Sequence, residues 1–518
     1  LDSKLTGSYY TPIKLVNSMV EFIEEDLNRT HILEPSAGDG RFIEKLLKNN
    51  CEIDAVELIN EKAEFIRSKF KNQRVNSINS DFIRYSFTCK KKYDYIIGNP
   101  PYINKKYLNE EERNLSKKLY KEFGLREATF SNLWVSFILA SIKLLKSDGT
   151  IFFVLPLEFL QVNHSKPIRI FLEKKFKAIE IFVFKKSIFE TIQQDVCLIY
   201  ISNRENDIKN YIKYNIVKDV DLKNPIGFNK IMRNMPLDKW TNSIIDDEEI
   251  ELIKRLSDKC KTIDTFGKIT PGIVTGANNF FILTKEFVSS KRIKNYVVPI
   301  IPKSSYIGQK LIFNKEDFKR LNEDNKLVNL LKLNDFNYNK LPKGIKEYLN
   351  EGEENKINLR FKCSRRKPWY IIPKSNIGNL FFFKRYGKYP KLVINESNIY
   401  TTDIAYNIIL SDKYDKNSLA FCFYNVLTLV MCEYMGRFYA GGVCELTPNE
   451  FKKVTIPYIE INKEEIKCLD EMFRNNKDIN DIISYVNKKV LSNIATEEEI
   501  LKLEDIRGRY LKRRLMKQ

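Results

Sequence analysis

The chain has 518 residues, with 87 Lys and Arg against 67 Asp and Glu, a formal charge of +20. At roughly 100 to 200 residues per domain this length implies several domains, and 43% hydrophobic with 30% charged residues excludes collagen-like and disordered classes. The positive excess favours a polyanionic partner, with a Lys-rich compositional background as the alternative.

The longest nearly apolar stretch, Leu419 to Cys432, is 14 residues long and contains Asn425, too short to span a bilayer, so no membrane partner is expected. The N-terminus shows no charged-then-apolar leader. Nine cysteines never sit two residues apart, and His31 and His164 are the only histidines, which predicts a reducing cytoplasm and no zinc or other metal site.

From Thr30 to about Ile201, short apolar runs alternate with helical patterns, the signature of a mostly parallel sheet. Strands are predicted over 30–34, 53–57, 76–80, 93–98, 149–155, 178–183 and 195–201, and helices over 12–26, 41–49, 61–70, 132–146 and 165–175. Periodicity fades over 205–245, around Asn224-Pro225-Ile226-Gly227 and Met235-Pro236, which places a domain boundary there. Residues 250–458 mix apolar helices such as 417–435 with strand-like pieces at Gly272–Val274 and Asn379–Phe383. The remainder, 462–518, is helical by propensity and ends in six Lys or Arg without an acid from Arg507 onward. The expected architecture is a Rossmann-like α/β domain of seven mostly parallel strands over 1–240, a mixed α/β domain over 241–460 and a helical section over 461–518.

Chemistry concentrates at the strand ends of the first domain. Glu34-Pro35-Ser36-Ala37-Gly38-Asp39-Gly40 follows the first strand, and its glycines let the backbone turn sharply toward a ligand. Glu57 ends the second strand, where a carboxylate can accept both ribose hydroxyls. Asp81-Phe82 follows the third, offering an acid for an exocyclic amine and a ring for a nucleobase face. Each acid alone reads as a solvated cap; three at successive strand ends read as a ligand site. The glycine pattern lacks the third spaced Gly of dinucleotide sites, and Asp39 would repel a pyrophosphate. An adenosine carrier without phosphate fits better, and the sulfonium cation of S-adenosylmethionine suits acidic surroundings.

The fourth strand runs into Asn99-Pro100-Pro101-Tyr102. The ordered set Tyr9-Tyr10-Thr11-Pro12, Glu34 to Gly40, Glu57, Asp81-Phe82 and Asn99 to Tyr102 closely resembles the gamma-class N6-adenine DNA methyltransferases of bacterial restriction-modification systems. The resemblance covers about residues 5–205 by specific motifs and 265–458 more loosely. It implies a methyltransferase domain followed by a target-recognition domain. It assigns Thr11, Glu34, Ala37, Gly38, Gly40, Glu57, Asp81 and Phe82 to the cofactor. For catalysis it implies that the Asn99 side chain and the Pro100 carbonyl each accept an N–H of the adenine amine, aiming its lone pair at the methyl group. Tyr102 and Phe189 would sandwich a base rotated out of the duplex, although Phe189 also reads as a sheet-edge packing residue.

Between Leu359 and Leu392 stand ten Lys or Arg and no acid, interleaved with aromatic residues that include Trp369, Tyr370, Phe381, Phe382, Phe383, Tyr386 and Tyr389. Arg360, Arg365, Arg366, Lys367, Trp369, Lys384 and Arg385 are the expected DNA contacts, with a solvated basic face as the alternative. Thr270–Gly276 and Tyr439–Val443 read as tight turns able to approach DNA, or as ordinary loops. No Gly-x-x-x-x-Gly-Lys-Ser/Thr loop is present, so a stand-alone, ATP-independent methylase is expected. It would act as a monomer on double-stranded DNA, in functional partnership with a restriction endonuclease. Methylation of RNA or of a protein glutamine amide, N4-cytosine methylation and a silent DNA-binding subunit are the weaker alternatives.

Overall fold

The computed structural model describes residues 10–185, 188, 195–204 and 210–515. It contains two compact units, residues up to Ile250 and Glu251–Leu515. Phe189 lies outside the described residues.

The first unit is built on one mixed sheet of nine strands among the described residues: β1 (His31–Glu34), β2 (Glu52–Glu57), β3 (Val75–Asn79), β4 (Tyr93–Gly98), β5 (Leu145–Pro156), β6 (Ala178–Phe184), β7 (Val196–Ser202), β8 (Tyr211–Val217) and β9 (Gly227–Met232). Their order is β3-β2-β1-β4-β5-β7-β6-β8-β9. All run parallel except β7, antiparallel to β5 and β6, and β9, antiparallel to β8. The seven predicted strands are present, and β8 and β9 add to them within the segment where the sequence pattern fades. Polar residues such as Lys213, Asn215, Asn229 and Lys230 interrupt these two strands, which hides the apolar alternation.

Helices α1 (Ile13–Ile23), α2 (Arg41–Leu46), α3 (Asn60–Lys69), α4 (Phe82–Thr88), α5 (Glu110–Glu122), α6 (Leu133–Leu144) and α7 (Lys166–Lys175) fill the connections. In α1 the buried residues Leu15, Val16, Met19, Val20 and Ile23 recur at helical spacing and form a stripe against the sheet. Helix α6 is apolar on every side, and every residue but Lys143 is buried. The chain leaves β1 for β2 and β3 on one side, then returns to β4 on the other. The crevice above β1 and β4 is therefore the point where such sheets bind ligands.

The second unit holds a five-stranded sheet ordered Gly267–Pro271, Ala405–Leu410, Leu380–Phe383, Leu392–Asn395 and Ile312–Phe313. The strand expected at Gly272–Val274 is instead the segment just before it. The apolar run 417–435 breaks into two buried helices, Lys416–Phe423 and Val426–Met435, bent by 75°. Asn425 causes the break by capping the second helix, accepting the Thr428 N–H at 2.9 Å. Among the described residues no single helix is long and apolar enough to cross a membrane.

The basic run after Arg507 is not a solvated tail over its described part. Arg507, Arg513 and Arg514 are buried on the helix Glu497–Leu515. Arg514 donates from Nη2 to Glu433 at 2.7 Å and from Nε at 3.1 Å, and also bonds the Gly442 carbonyl. Arg514→Met strands the Glu433 carboxylate in the core and is expected to cost about 3–5 kcal/mol, read as a lower urea midpoint. Adding Glu433→Met should recover much of that loss. A single-variant loss below about 1 kcal/mol would contradict the role given to this pair.

Candidate active site

The ends of β1, β2 and β4, together with the start of α4, open into a single cavity of about 340 Å³. Thr11, Glu34, Ala37, Gly38, Glu57, Asp81, Phe82 and Asn99 all line it. Gly40 lies just behind, where its positive φ of 79° and the Phe70 ring, 2.8 Å from where a Cβ would stand, together require glycine.

Glu57 is only 7% exposed, and its two oxygens accept the Gly38 and Ile59 N–H groups, each at 2.9 Å. The loop after β1 is thereby fastened to the loop after β2. Glu34 is 2% exposed, and its Oε2 has no hydrogen-bond partner among the described residues. Burial, reinforced by the Asp39 and Glu57 carboxylates, raises the Glu34 pKa well above the usual carboxylate range. An uncompensated buried acid of this kind is a receptor for a cation or a polar hydrogen.

Asp39 is held differently, since its Oδ2 lies 2.7 Å from Arg41 Nε. The loop's outward negative charge is thus offset, and the acidity facing the cavity comes chiefly from Glu34 and Glu57. Arg41 also donates to the Thr11 carbonyl at 2.8 Å, tying the N-terminal segment down over the cavity. Asp81 caps α4 by accepting the Arg84 N–H at 2.7 Å, so it is both a helix cap and part of the wall. Phe82 is buried, its ring 4.9 Å from that of Phe137.

Asn99 joins this group through the close approach of β4 to β1. A Cβ on Gly98 would lie 3.3 Å from Pro35, and Ser36 Oγ donates to the Asn99 carbonyl at 3.0 Å. Pro100 is buried behind the cavity, while Pro101 lines it. Tyr102 is not part of the wall: it packs half-buried against the core below, donating its hydroxyl to the Val154 carbonyl at 3.1 Å. Burial raises its hydroxyl pKa.

Sequence reasoning missed Tyr10, Lys62, Tyr107, Leu108, Leu133 and Phe137 as wall residues. The segment from Tyr107 to Leu133 is rich in Lys and Glu and reads as solvated surface. The available signal was the capping box Asn109–Glu112, whose reciprocal bonds are both 2.9 Å and which starts α5.

In the second unit, the expected DNA contacts divide. Arg360, Arg365 and Lys367 are exposed. Arg366 instead clamps a neighbouring loop, donating to the Thr275 and Val274 carbonyls at 2.8 and 2.6 Å. Trp369 packs with Phe280 and Phe281 and donates to Glu353 at 2.9 Å. Arg385 pairs with Glu445 at 3.0 Å, and Lys384 lies 3.9 Å from Asp403. Phe381, Phe382 and Phe383 are core residues of a strand buried on both faces. This strand contains no Lys or Arg, so its buried aromatic residues are separated from the basic residues of the segments that flank it.

The order of the first seven strands, the lone antiparallel β7 among them, and the acids at the ends of β1, β2 and β3 define a Rossmann-like methyltransferase fold. Residues 17–189 match the family described as Eco57I restriction-modification methylase, and residues 237–491 that of the type II methyltransferase M.Eco57I, C-terminal domain. The chain belongs to these Eco57I-type restriction-modification methylases. Type II methyltransferase M.AccI of Acinetobacter calcoaceticus is 26% identical over 477 residues, 87% of this chain and 85% of that protein. M.HincII of Haemophilus influenzae is 31% identical over 231 residues, 42% of this chain and 41% of that protein. Among solved structures, the type IIL restriction-modification enzyme MmeI in complex with DNA superposes with a TM-score of 0.60 at 11% identity, covering 96% of this chain and 75% of that one.

Glu34 yields a test independent of activity. Because its folded pKa is raised, the native state holds a proton that the unfolded chain releases, so stability falls as pH rises from the unfolded pKa through the folded one. Glu34→Gln should therefore raise the melting temperature of the ligand-free protein at pH 8, with a smaller gain near pH 5. A variant melting at or below wild type at pH 8 would contradict the assignment.

Proposed function

We propose that this chain transfers a methyl group from S-adenosylmethionine to the N6 amine of an adenine rotated out of duplex DNA, protecting that DNA from a partner restriction endonuclease. In this proposal residues 1–240 carry out transfer, 241–460 read the target and 461–518 brace the reading part. The observation that carries it is Asn99 in one cavity with Glu34, Glu57, Asp81 and Phe82.

The residues fit this cofactor. Glu57 keeps a lone pair on each oxygen after binding the Gly38 and Ile59 N–H groups, enough to accept two ribose hydroxyls. Phe82 presents an aromatic face and Asp81 an acceptor for an adenine amine. Glu34, whose Oε2 is an orphan, lines the same cavity, and the cationic methionine end beside it would restore its ionised form. When bound, S-adenosylmethionine supplies an electrophilic methyl group.

The protein's own contribution to transfer is positional. Asn99 and the Pro100 carbonyl accept the two amine hydrogens, holding the nitrogen toward tetrahedral geometry with its lone pair aimed along the transfer line. Ser36 fixes the Asn99 backbone while this happens. Stacking of the rotated base on Tyr102 is part of this proposal, although the ring lies outside the cavity wall and packs on the core with its hydroxyl on the Val154 carbonyl.

The test is nucleoside analysis of plasmid DNA incubated with protein and cofactor. N6-methyladenine is expected with wild type, and Asn99→Ala should transfer at least ~100-fold more slowly with cofactor binding retained. A loss smaller than about tenfold, or methylcytosine as the product, would overturn the proposal.

A further inference from the structure

The loop Leu359–Lys367 combines features that ordinary surface loops do not. Leu359 and Phe361 are 67% and 62% exposed, two residues apart, although each is large and apolar. Exposed cations surround them, Arg360, Lys362, Arg365 and Lys367, and no acid occurs from Leu359 to Leu392. The Arg365 guanidinium lies 3.9 Å from the Phe361 ring centroid, covering one face of the ring.

The backbone beneath is fixed. The loop leaves the helix Lys343–Glu354 through Lys356 in the left-handed region, and the Ile357 N–H returns to the Gly352 carbonyl at 2.8 Å. Ile357 and Cys363 are buried on either side of the projecting residues. Arg366 closes the base by bonding the Thr275 and Val274 carbonyls. Gly276 lets the two loops meet: its φ is 82°, and a Cβ there would stand 2.8 Å from Lys362 Cβ. Two apolar side chains are thus held outward on a fixed base, with exposed cations on the same loop and Lys362 and Arg365 against the Phe361 ring.

We infer that Phe361, with Leu359 beside it, is a wedge that enters between base pairs of bound duplex DNA while Arg360, Arg365 and Lys367 hold the flanking phosphates. This rests on the DNA-methylation reading and extends it to how the duplex is deformed. A protein partner would favour a broader apolar patch with mixed charge, whereas a narrow apolar tip whose own loop carries four exposed cations and no acid complements stacked bases between two phosphate rows. Insertion exchanges Phe361's contact with water for base stacking. It also releases Arg365 from the ring to a phosphate and bends the helix.

The experiment compares wild type with the double variant Leu359→Ala and Phe361→Ala, and with Phe361→Trp, on a short duplex labelled at both ends. Binding is read by anisotropy and bending by energy transfer; plasmid methylation by wild type is measured alongside. The double variant should bind about tenfold more weakly and lose the bend. Its salt dependence should remain unchanged because no cation is removed. Phe361→Trp should keep both affinity and bend. A double variant that binds and bends DNA like a methylating wild type overturns the wedge and leaves the pair to a protein contact. A wild type that bends DNA through Phe361 but transfers no methyl group overturns the methylation reading instead, with the wedge standing.

Discussion

The candidate site depends on one carboxylate. Glu57 accepts the Gly38 and Ile59 N–H groups from two different loops, and charge-assisted bonds of this kind contribute roughly 1.5–3 kcal/mol each when buried. They fix the spacing of the loops that follow β1 and β2. Asn79 adds to the same junction by donating to the Glu57 carbonyl at 3.0 Å. With that frame rigid, Glu34 can be left buried without a partner, a cost that an isolated loop would relieve by moving toward water. In the proposed function a bound cation would offset that cost.

A similar division between frame and tip recurs in the second unit. Arg366 bonds the Val274–Thr275 loop and Trp369 the helix residue Glu353, and this fixed base lets Arg360, Phe361 and Arg365 project. Helix Lys463–Arg474 stiffens another part of the unit, since Asp470 accepts the Leu311 and Ile312 N–H groups at 2.9 Å while Arg474 bridges Asp470 and Asp317. In both units, charged groups with internal partners set the geometry that the unpartnered ones require.

Much of the first unit was legible because largely apolar runs such as Tyr93–Gly98 and Ala178–Phe184, broken only by Asp94 and Glu180, are buried on both faces. The strand-end acids and glycines were legible because they stand at abrupt breaks in those runs. Strands β8 and β9 were not, since polar side chains break their pattern at the sheet's far edge. The cavity wall from Tyr107 to Phe137 was also hidden, because its residues become neighbours only through long-range packing. In the second unit, composition located a basic segment but not its orientation. Which of Arg365 and Arg366 faces solvent depends on the Thr275 and Val274 carbonyls, about ninety residues earlier in the chain.

The central claim is that buried, uncompensated acidity selects a phosphate-free adenosyl cation. Calorimetric titration of the purified protein with S-adenosylmethionine and, separately, with ATP tests it most directly. The account predicts saturable binding of S-adenosylmethionine at one site per chain, weakened by Glu57→Ala, and no displacement of it by ATP. Competition by ATP at the same site, or S-adenosylmethionine affinity untouched by Glu57→Ala, would contradict it.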